Sequence, residues 1–241
     1  MASSPKNAIT PLNGPLLSKT AGQLLEDFGA GAPTPGSGSA AAFMGILAAK
    51  LVETVCKKTI EKRTIAEKPD SQLQYLMDRA QLISIRLSAK MEQDSSDFDR
   101  VIELRRARDR AKDRTEESKL SRQSNEILED STKLIFDISE DCLELVDLGK
   151  NVFDGGWPAI RGDAGAALSA ALAGAMSCAF IANLNAKTLR KRQSAKKIAT
   201  DCRKLSERIL QKQSLVMACM SSLNSEALTA IEVLIAESPV K

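Results

Sequence analysis

Apolar residues recur every three or four positions over most of the chain, and this spacing predicts amphipathic α-helices. No alternating pattern of paired strands and no internal repeat interrupts it. The sequence therefore predicts an all-α bundle of about five long helices with a short N-terminal helix. The predicted helices lie at about 20–28, 39–63, 71–104, 115–149 and 163–188, and from about 198 to beyond 231.

Two segments interrupt the helical pattern. Residues 29–39 combine two prolines with four glycines, a density that a helix does not tolerate, and residues 150–162 form a second break. Between helices, Lys68-Pro-Asp70 indicates a turn, with Asp70 or Ser71 as the next helix cap. Residues 1–17 carry three prolines and are predicted to be a flexible leader, which leaves 18–241 as one helical domain without a linker.

The apolar residues are mostly small. Hydrophobic residues make up 43% of the 241, but only eight are aromatic, so Ala, Leu, Ile and Ser must fill the core. Helices 39–63 and 163–188 carry stripes of small residues and offer more close-packing surface than one small bundle can bury, which predicts a homodimer. Residues 164–184 are long enough to span a bilayer, but Ala, Gly and Ser dominate them, which favours a buried helix and no membrane partner.

The net charge and the reactive residue types limit which partners, catalytic sites and metal sites the chain can have. The net charge of +3 does not require nucleic acid, and the short basic cluster at 187–197 is typical of a solvated helix junction, although a nucleic-acid binder is the alternative. The chain has no histidine, which excludes Ser-His-Asp and Cys-His catalysis and every histidine-metal site. The odd number of cysteines without metal-ligand spacing indicates buried thiols in the cytoplasm.

The first glycine-rich turn matches a dinucleotide-binding pattern in its sequence and has free backbone N–H groups at a helix start. Gly36-Ser-Gly-Ser-Ala-Ala41 matches the dinucleotide pattern G-x-G-x-x-G/A, but a helix and two prolines precede it where that pattern needs a strand. Free backbone N–H groups from Gly36 to Ser39 at a helix start would suit an anion or a carbonyl oxygen. Helix capping with a tight crossing explains the same residues, and Gly36 is expected to need a positive φ.

Three aspartates are the other candidate functional residues. Asp163 stands before the uncharged helix, where it is either an ordinary N-cap or a functional group. Asp94 and Asp97 lie three positions apart on a predicted helix and are either exposed to solvent or functional.

Several segments, in order, resemble the C-terminal domain of formiminotransferase-cyclodeaminase, a family that also includes bacterial methenyltetrahydrofolate cyclohydrolase. The glycine-rich turn resembles the family's P-x-P-G-G-G-S opening, and the segment around Asp94 resembles its D-x-x-A-F sequence. The resemblance covers about residues 20–235. The segments that carry it are 33–39, 91–98, 112–122, 149–167 and 182–184.

The resemblance implies an all-α homodimer with a folate cleft, and either hydrolysis of methenyl-tetrahydrofolate or cyclisation of formimino-tetrahydrofolate with loss of ammonia. It requires neither a metal nor a redox cofactor. Both reactions pass through a cationic amidinium carbon, so Asp163 first and Asp94 second are the implied catalytic residues. The implied substrate-binding residues are Pro35, Gly36, Ser37, Gly38, Ser39, Lys112, Asn151, Arg161 and Asn183, of which Lys112 and Arg161 would hold the anionic tail.

This chain also departs from the family pattern. Arg110-Ala111 stands where Leu-Pro is usual, Lys150 where Asn is usual and Gly162 where Ser precedes the aspartate. These changes favour the alternative that the chain is a non-catalytic helical dimer that binds a small ligand or a protein partner.

Overall fold

The computed structural model describes residues 15–63 and 71–237, and within these ranges it contains six α-helices and no strand. One short helix precedes five long ones, as the periodicity predicts. The helices are α1 (Ala21–Gly29), α2 (Ser37–Arg63), α3 (Ser71–Arg108), α4 (Arg114–Gly155), α5 (Arg161–Thr188) and α6 (Ala195–Glu237).

Helices α2, α3, α4 and α5 form a bundle in which each helix contacts two neighbours, and α6 lies across α4 and α5. Small residues bring α2, α4 and α5 close together: a Cβ added to Gly174 would lie 2.9 Å from the carbonyl oxygen of Ala41 and 2.8 Å from Cys142 Sγ. At the other end of α2, the backbone N–H of Trp157 donates a 2.9 Å hydrogen bond to Thr59 Oγ1 just before α5 begins. Helices α2 and α5 therefore run antiparallel.

Side-chain caps fix two of the helix starts. Thr20 and Gln23 form a capping box at α1. Helix α4 begins at Arg114, one residue before the predicted start, because Asp113 accepts hydrogen bonds from the backbone N–H groups of Thr115 and Glu116. The predicted cap at Asp70 lies outside the described residues.

The predicted end of the helix at Gly149 is wrong, because α4 continues to Gly155. Gly149 permits close packing instead: a Cβ there would lie 3.0 Å from Leu168 Cδ2 on α5. The helix ends at Gly155 and Gly156, and a 3-10 turn at Pro158–Ile160 leads directly into α5.

The prediction that Asp163 is an N-cap is also wrong. Helix α5 already begins at Arg161, so Asp163 is its third residue and an acidic residue of the first turn. At this position its charge interacts favourably with the helix dipole, but it does not have the extended backbone of a capping residue.

The predicted leader ends earlier than expected. Residues 1–14 lie outside the described part of the chain, but Leu16 begins a 3-10 turn, is buried, and donates its backbone N–H to Glu92 Oε1 on α3. Leu16 therefore packs on the bundle, within the segment that was predicted to be leader.

Helices Ser37–Arg63 and Pro158–Thr188 are each long and apolar enough to cross a membrane by length and composition alone. Both are central helices of the bundle, and 61% and 44% of their most apolar windows are buried within it. The core helix of a bundle can have the same length and apolar composition.

An ion-pair network joins α3 to α4. Asp141, whose side chain is 6% exposed, accepts hydrogen bonds from Arg86 and, at 2.8 Å, from Lys90 Nζ. Lys90 also donates to the carbonyl oxygen of Asp137, and Arg79 pairs with Glu144 one turn away. Asp141 thus holds two partly buried cations.

Replacing Asp141 with alanine is expected to lower the free energy of unfolding by about 2 kcal/mol, because two partly buried cations lose their acceptor. Urea unfolding followed by circular dichroism measures this. Asp130→Ala removes an exposed partner of Lys133 and should change stability by less than about 0.5 kcal/mol. Equal losses in the two variants would contradict a structural role for the network.

Candidate active site

A buried carboxylate lies against the N-terminal turn of α2. Asp94, on α3, is 9% exposed, and its Oδ2 accepts a 2.8 Å hydrogen bond from the Ser39 hydroxyl. Its other oxygen lies over Gly38, where an added Cβ would be only 2.1 Å away. Only a glycine at position 38 leaves room for this carboxylate. Of the two possibilities that the sequence left open for Asp94, exposure to solvent is therefore ruled out by its burial.

The environment of Asp94 shifts its pKa upwards from the ordinary value of an aspartate. Burial raises the pKa of Asp94, hydrogen bonds from the Ser39 side chain and backbone lower it, and the charge of Asp97 raises it, with a net upward direction. A carboxyl group with a raised pKa exchanges a proton near neutral pH more readily than an ordinary aspartate. Asp94 therefore has the character of an acid–base group.

The turn before α2 positions these atoms. Pro35 is buried and follows a cis peptide bond from Thr34, whose hydroxyl donates a 2.7 Å hydrogen bond to Asp99 Oδ1. The expected positive φ at Gly36 is wrong, because Gly31 is the glycine with positive φ in the described residues. Gly36 instead accepts the first helical hydrogen bond of α2, from the N–H of Ala40.

Two further predicted residues lie at this end of the bundle. Ser37 is exposed as the first residue of α2. Asn183 is exposed on α5, just over one turn beyond Cys178, whose pKa is raised by burial and by the charges of Cys142 and Asp94. This part of α5 therefore lies near the Asp94 carboxylate.

The remaining predicted residues on α4 and α5 lie at the opposite end of the bundle. Asn151 is exposed in the last turns of α4. Arg161 forms two hydrogen bonds, of 2.9 and 2.7 Å, with the carboxylate of Glu226 on α6, and its guanidinium lies 5.4 Å from the Phe153 ring. Asp163 is half-buried and makes no hydrogen bond or ion pair with the described residues.

The two predicted catalytic carboxylates are therefore far apart within one chain. Fifteen residues of α5 separate Asp163 from Cys178, and at 1.5 Å per residue this is about 22 Å along the helix. A general acid or base must reach the reacting atom through a hydrogen bond or one water. Asp94 and Asp163 of the same chain cannot both reach one atom.

A basic cavity lies on the Asp94 side of the bundle. It has a volume of about 540 Å³ and opens between α3, α4 and the α5–α6 turn. Burial and the charge of Arg108 lower the pKa of Arg105, which shows cations held close together. The basic residues that line the cavity are Arg105, Arg108, Arg190, Lys191 and Arg192.

Sequence reasoning missed the cavity because its cations come from two distant segments, whose nearest members are Arg108 and Arg190. Lys112, the predicted anion-binding residue, is exposed in the α3–α4 turn, and its backbone N–H donates to Glu116 Oε2. Arg105 lies on α3 eleven residues after Asp94. Eleven residues are close to three helical turns, so both residues lie on the same face of α3, about 16 Å apart.

No group of three or more potential ligands among His, Cys, Asp and Glu is placed to hold a metal ion in the described parts of the chain. All five cysteines are buried and none is in a disulfide.

Comparison with known proteins identifies the family. The Formiminotransferase-cyclodeaminase family profile matches residues 20–204. Methenyltetrahydrofolate cyclohydrolase from Methylorubrum extorquens is 32% identical over 174 residues, which cover 71% of this chain and 81% of that protein. The crystal structure of formiminotetrahydrofolate cyclodeaminase from Thermotoga maritima superposes with a TM-score of 0.70 at 14% identity, covering 86% of this chain and 98% of the other. The chain belongs to the formiminotransferase-cyclodeaminase family.

Proposed function

We propose that the protein hydrolyses methenyl-tetrahydrofolate to formyl-tetrahydrofolate and that Asp94 carries the proton transfer. The observation that supports this most directly is the buried Asp94 carboxyl group, held by Ser39 against Gly38. The relative from Methylorubrum extorquens is a methenyltetrahydrofolate cyclohydrolase, which favours hydrolysis over cyclodeamination.

The reaction needs a base and then an acid near one carbon. Water adds to the cationic carbon between the two nitrogens, and the water gives up a proton as the new C–O bond forms. The hydroxyl of this adduct then loses its proton and becomes the formyl carbonyl as one carbon–nitrogen bond breaks, and the leaving nitrogen takes up a proton. Asp94 is suited to stabilise the cation as a carboxylate and to accept the proton from water, because its raised pKa matches it to proton exchange.

The anionic tail of the substrate is assigned to the basic cavity rather than to Arg161. Arg161 is already paired with Glu226, whereas Arg105 makes no ion pair with the described residues. Arg105 and Asp94 share one face of α3, so an elongated ligand could place its cationic carbon at Asp94 and its carboxylates beside Arg105. Lys112 lies in the turn that follows and would contact a longer anionic tail.

The protein is further proposed to be a cytoplasmic homodimer. Eleven large apolar side chains on α2, α5 and α6 are at least 37% exposed, and exposed apolar surface of this kind marks a contact with another chain. Sedimentation should give twice the 26.0 kDa of one chain at micromolar concentration, and a 26.0-kDa species would contradict the proposal. The side chains are Leu47, Met176, Phe180, Leu184, Leu210, Met217, Met220, Leu223, Leu228, Ile231 and Val233.

Assays with two substrates distinguish hydrolysis from cyclodeamination. Loss of the methenyl-tetrahydrofolate absorbance, faster than the uncatalysed reaction, supports the cyclohydrolase. Release of ammonia from formimino-tetrahydrofolate without that hydrolysis would instead support a cyclodeaminase, the activity of the Thermotoga maritima protein. If neither substrate turns over but methenyl-tetrahydrofolate binds, the chain is a non-catalytic binder of the same fold.

A further inference from the structure

The Ser39 hydroxyl lies within hydrogen-bond distance of two acceptors on α3. Its oxygen is 2.8 Å from Asp94 Oδ2 and 3.3 Å from the carbonyl oxygen of Met91. Met91 and Asp94 are three residues apart on α3, which places them on the same face of the helix. A hydroxyl has a single hydrogen, so Ser39 can donate fully to only one of these acceptors at a time.

Solvent does not compete for this hydroxyl. Ser39 and Met91 are each 0% exposed. The Met91 carbonyl lies inside α3 and keeps a second lone pair beside the one used by the helical hydrogen bond. The Ser39 hydrogen therefore points either to a carboxyl group that can ionise or to a carbonyl oxygen that cannot.

The two hydrogen-bonding groups of Ser39 respond differently to a proton on Asp94. The Ser39 backbone N–H is in the first turn of α2, where it has no helical partner, and it donates to Asp94. An N–H can only donate, so it favours the carboxylate. The hydroxyl can donate to the carboxylate or accept from the neutral acid, so it can stabilise both forms.

We propose that the Ser39 hydroxyl reorients with each proton transfer at Asp94, from Oδ2 to the Met91 carbonyl and back. This rests on the proposed function of Asp94. While Asp94 is a carboxylate, the hydroxyl donates to it. Once Asp94 has taken the proton from water, its O–H donates to Ser39 Oγ and the hydroxyl hydrogen turns to Met91. Transfer of that proton to the leaving nitrogen reverses the rotation, and Ser39 is thus a positioning residue that acts through Asp94.

The charged groups of α2 and α3 near Asp94 cannot take this part. Asp97 accepts hydrogen bonds as a carboxylate, and its charge raises the pKa of Asp94. Lys90, one turn before Asp94, only donates, and it is paired with Asp141. Helix α2 has no ionisable residue before Lys50, more than three turns after its start.

Two buried thiols are the titratable groups on the α4 and α5 side. Burial raises the pKa of Cys178 on α5 well above its ordinary value, and the charges of Cys142 and Asp94 raise it further. Burial raises the pKa of Cys142 on α4 to about 12. Both thiols therefore stay neutral while a carboxyl group titrates, and they do not change the charge around Asp94.

The pH profile of Ser39→Ala tests the role of the hydroxyl in turnover. The carboxylate loses more than the neutral acid, because hydrogen bonds to charged groups are the stronger ones, so the pKa of Asp94 should rise. Asp94 accepts the proton from water as a carboxylate. The acidic limb of kcat/KM should therefore move up by about one pH unit. An unchanged limb in a folded Ser39→Ala protein would overturn the proposal.

Two further variants separate this effect from packing. Ser131→Ala is the matched control, because Ser131 is a buried serine on α4 whose hydroxyl has no hydrogen-bond partner in the described part of the chain. Its pH profile should coincide with that of the wild type. Ser39→Cys keeps a weaker donor and acceptor and should give a smaller shift than Ser39→Ala. Equal shifts in Ser131→Ala and Ser39→Ala would contradict a specific role for the Ser39 hydroxyl.

Nuclear magnetic resonance tests the reorientation without turnover. In carbon-13-labelled protein, the Asp94 carboxyl carbon reports protonation and the Met91 carbonyl carbon reports its hydrogen bond. Both signals should change with the same midpoint pH in the wild type. In Ser39→Ala the Met91 change should vanish while Asp94 titrates at higher pH, and a wild-type Met91 signal that does not follow Asp94 would overturn the proposal. Failure of the proposed function is distinguishable, because the wild type would then turn over neither substrate whatever this titration shows.

Discussion

Replacing Gly38 with alanine is expected to reduce turnover at least a hundredfold while the protein stays folded. The new Cβ would lie 2.1 Å from Asp94 Oδ1 and 2.5 Å from its Cγ, so the carboxyl group must move. Asp94 has too short a side chain to move away and keep its hydrogen bond to Ser39. Loss of a positioned acid–base group typically costs a factor of a hundred to ten thousand. Alanine also favours the helix by up to about 1 kcal/mol, which offsets part of the packing cost.

The measurement is turnover of methenyl-tetrahydrofolate beside a thermal melt of the same preparation. Gly36→Ala adds a methyl group to the same turn without touching Asp94, because its Cβ would lie 3.2 Å from the carbonyl oxygen of Pro33, so it separates an effect on the turn from an effect on the carboxyl group. Gly22→Ala, with nothing within 4 Å, controls for the general effect of a new methyl group in a helix. Activity of the Gly38→Ala protein equal to that of Gly22→Ala would show that Asp94 does not depend on the space left at position 38.

The number of helices could be predicted from the sequence because an apolar stripe every 3.6 residues is a local signal. Helix ends were harder to predict, because a glycine can either end a helix or let a neighbouring helix pack closely. Gly149 looked like a terminator, but its missing side chain lets α5 approach through Leu168. Distinguishing the two uses requires knowledge of the neighbouring helix, which the local sequence does not contain.

The candidate site was predicted in part. The glycine-rich turn and Asp94 were both identified, but their contact joins residues 55 positions apart, and nothing local indicated whether Asp94 was buried or exposed. The basic cavity was missed for the same reason, because Arg105 lies on α3 and Arg190 lies in the turn between α5 and α6. Long-range contacts of this kind depend on the packing of complete helices.

The separation of Asp94 from Asp163 could have been expected from topology. Successive helices of an up-and-down bundle alternate in direction, so α2 and α5, three connections apart, run in opposite directions. The starts of these two helices therefore lie at opposite ends of the bundle. The order of motifs along the chain carries no information about this, and both helix starts were assigned to one cleft.

Asp94→Asn is expected to reduce turnover by at least a hundredfold and at the same time to stabilise the fold at neutral pH. Asparagine keeps the shape and can still accept the Ser39 hydroxyl hydrogen bond, but it neither carries charge nor exchanges a proton. The activity loss follows from the missing acid–base group. The gain in stability follows because a buried carboxylate is desolvated when it ionises.

The pH dependence gives this prediction its sign. The folded-state pKa of Asp94 is raised above its ordinary value of 3.8, so the stability contributed by its neutral form is complete below that value. It is lost as the pH rises through the folded-state pKa. The variant should therefore exceed the wild type in free energy of unfolding at pH 7, and this advantage should shrink as the pH falls towards 4. Urea unfolding at several pH values measures both curves.

Asp130→Asn, at an exposed position, should show no such trend. An Asp94→Asn protein that loses stability at pH 7 in proportion to its activity would mean that the carboxylate is structural, held for its contacts with the α2 turn rather than for proton transfer.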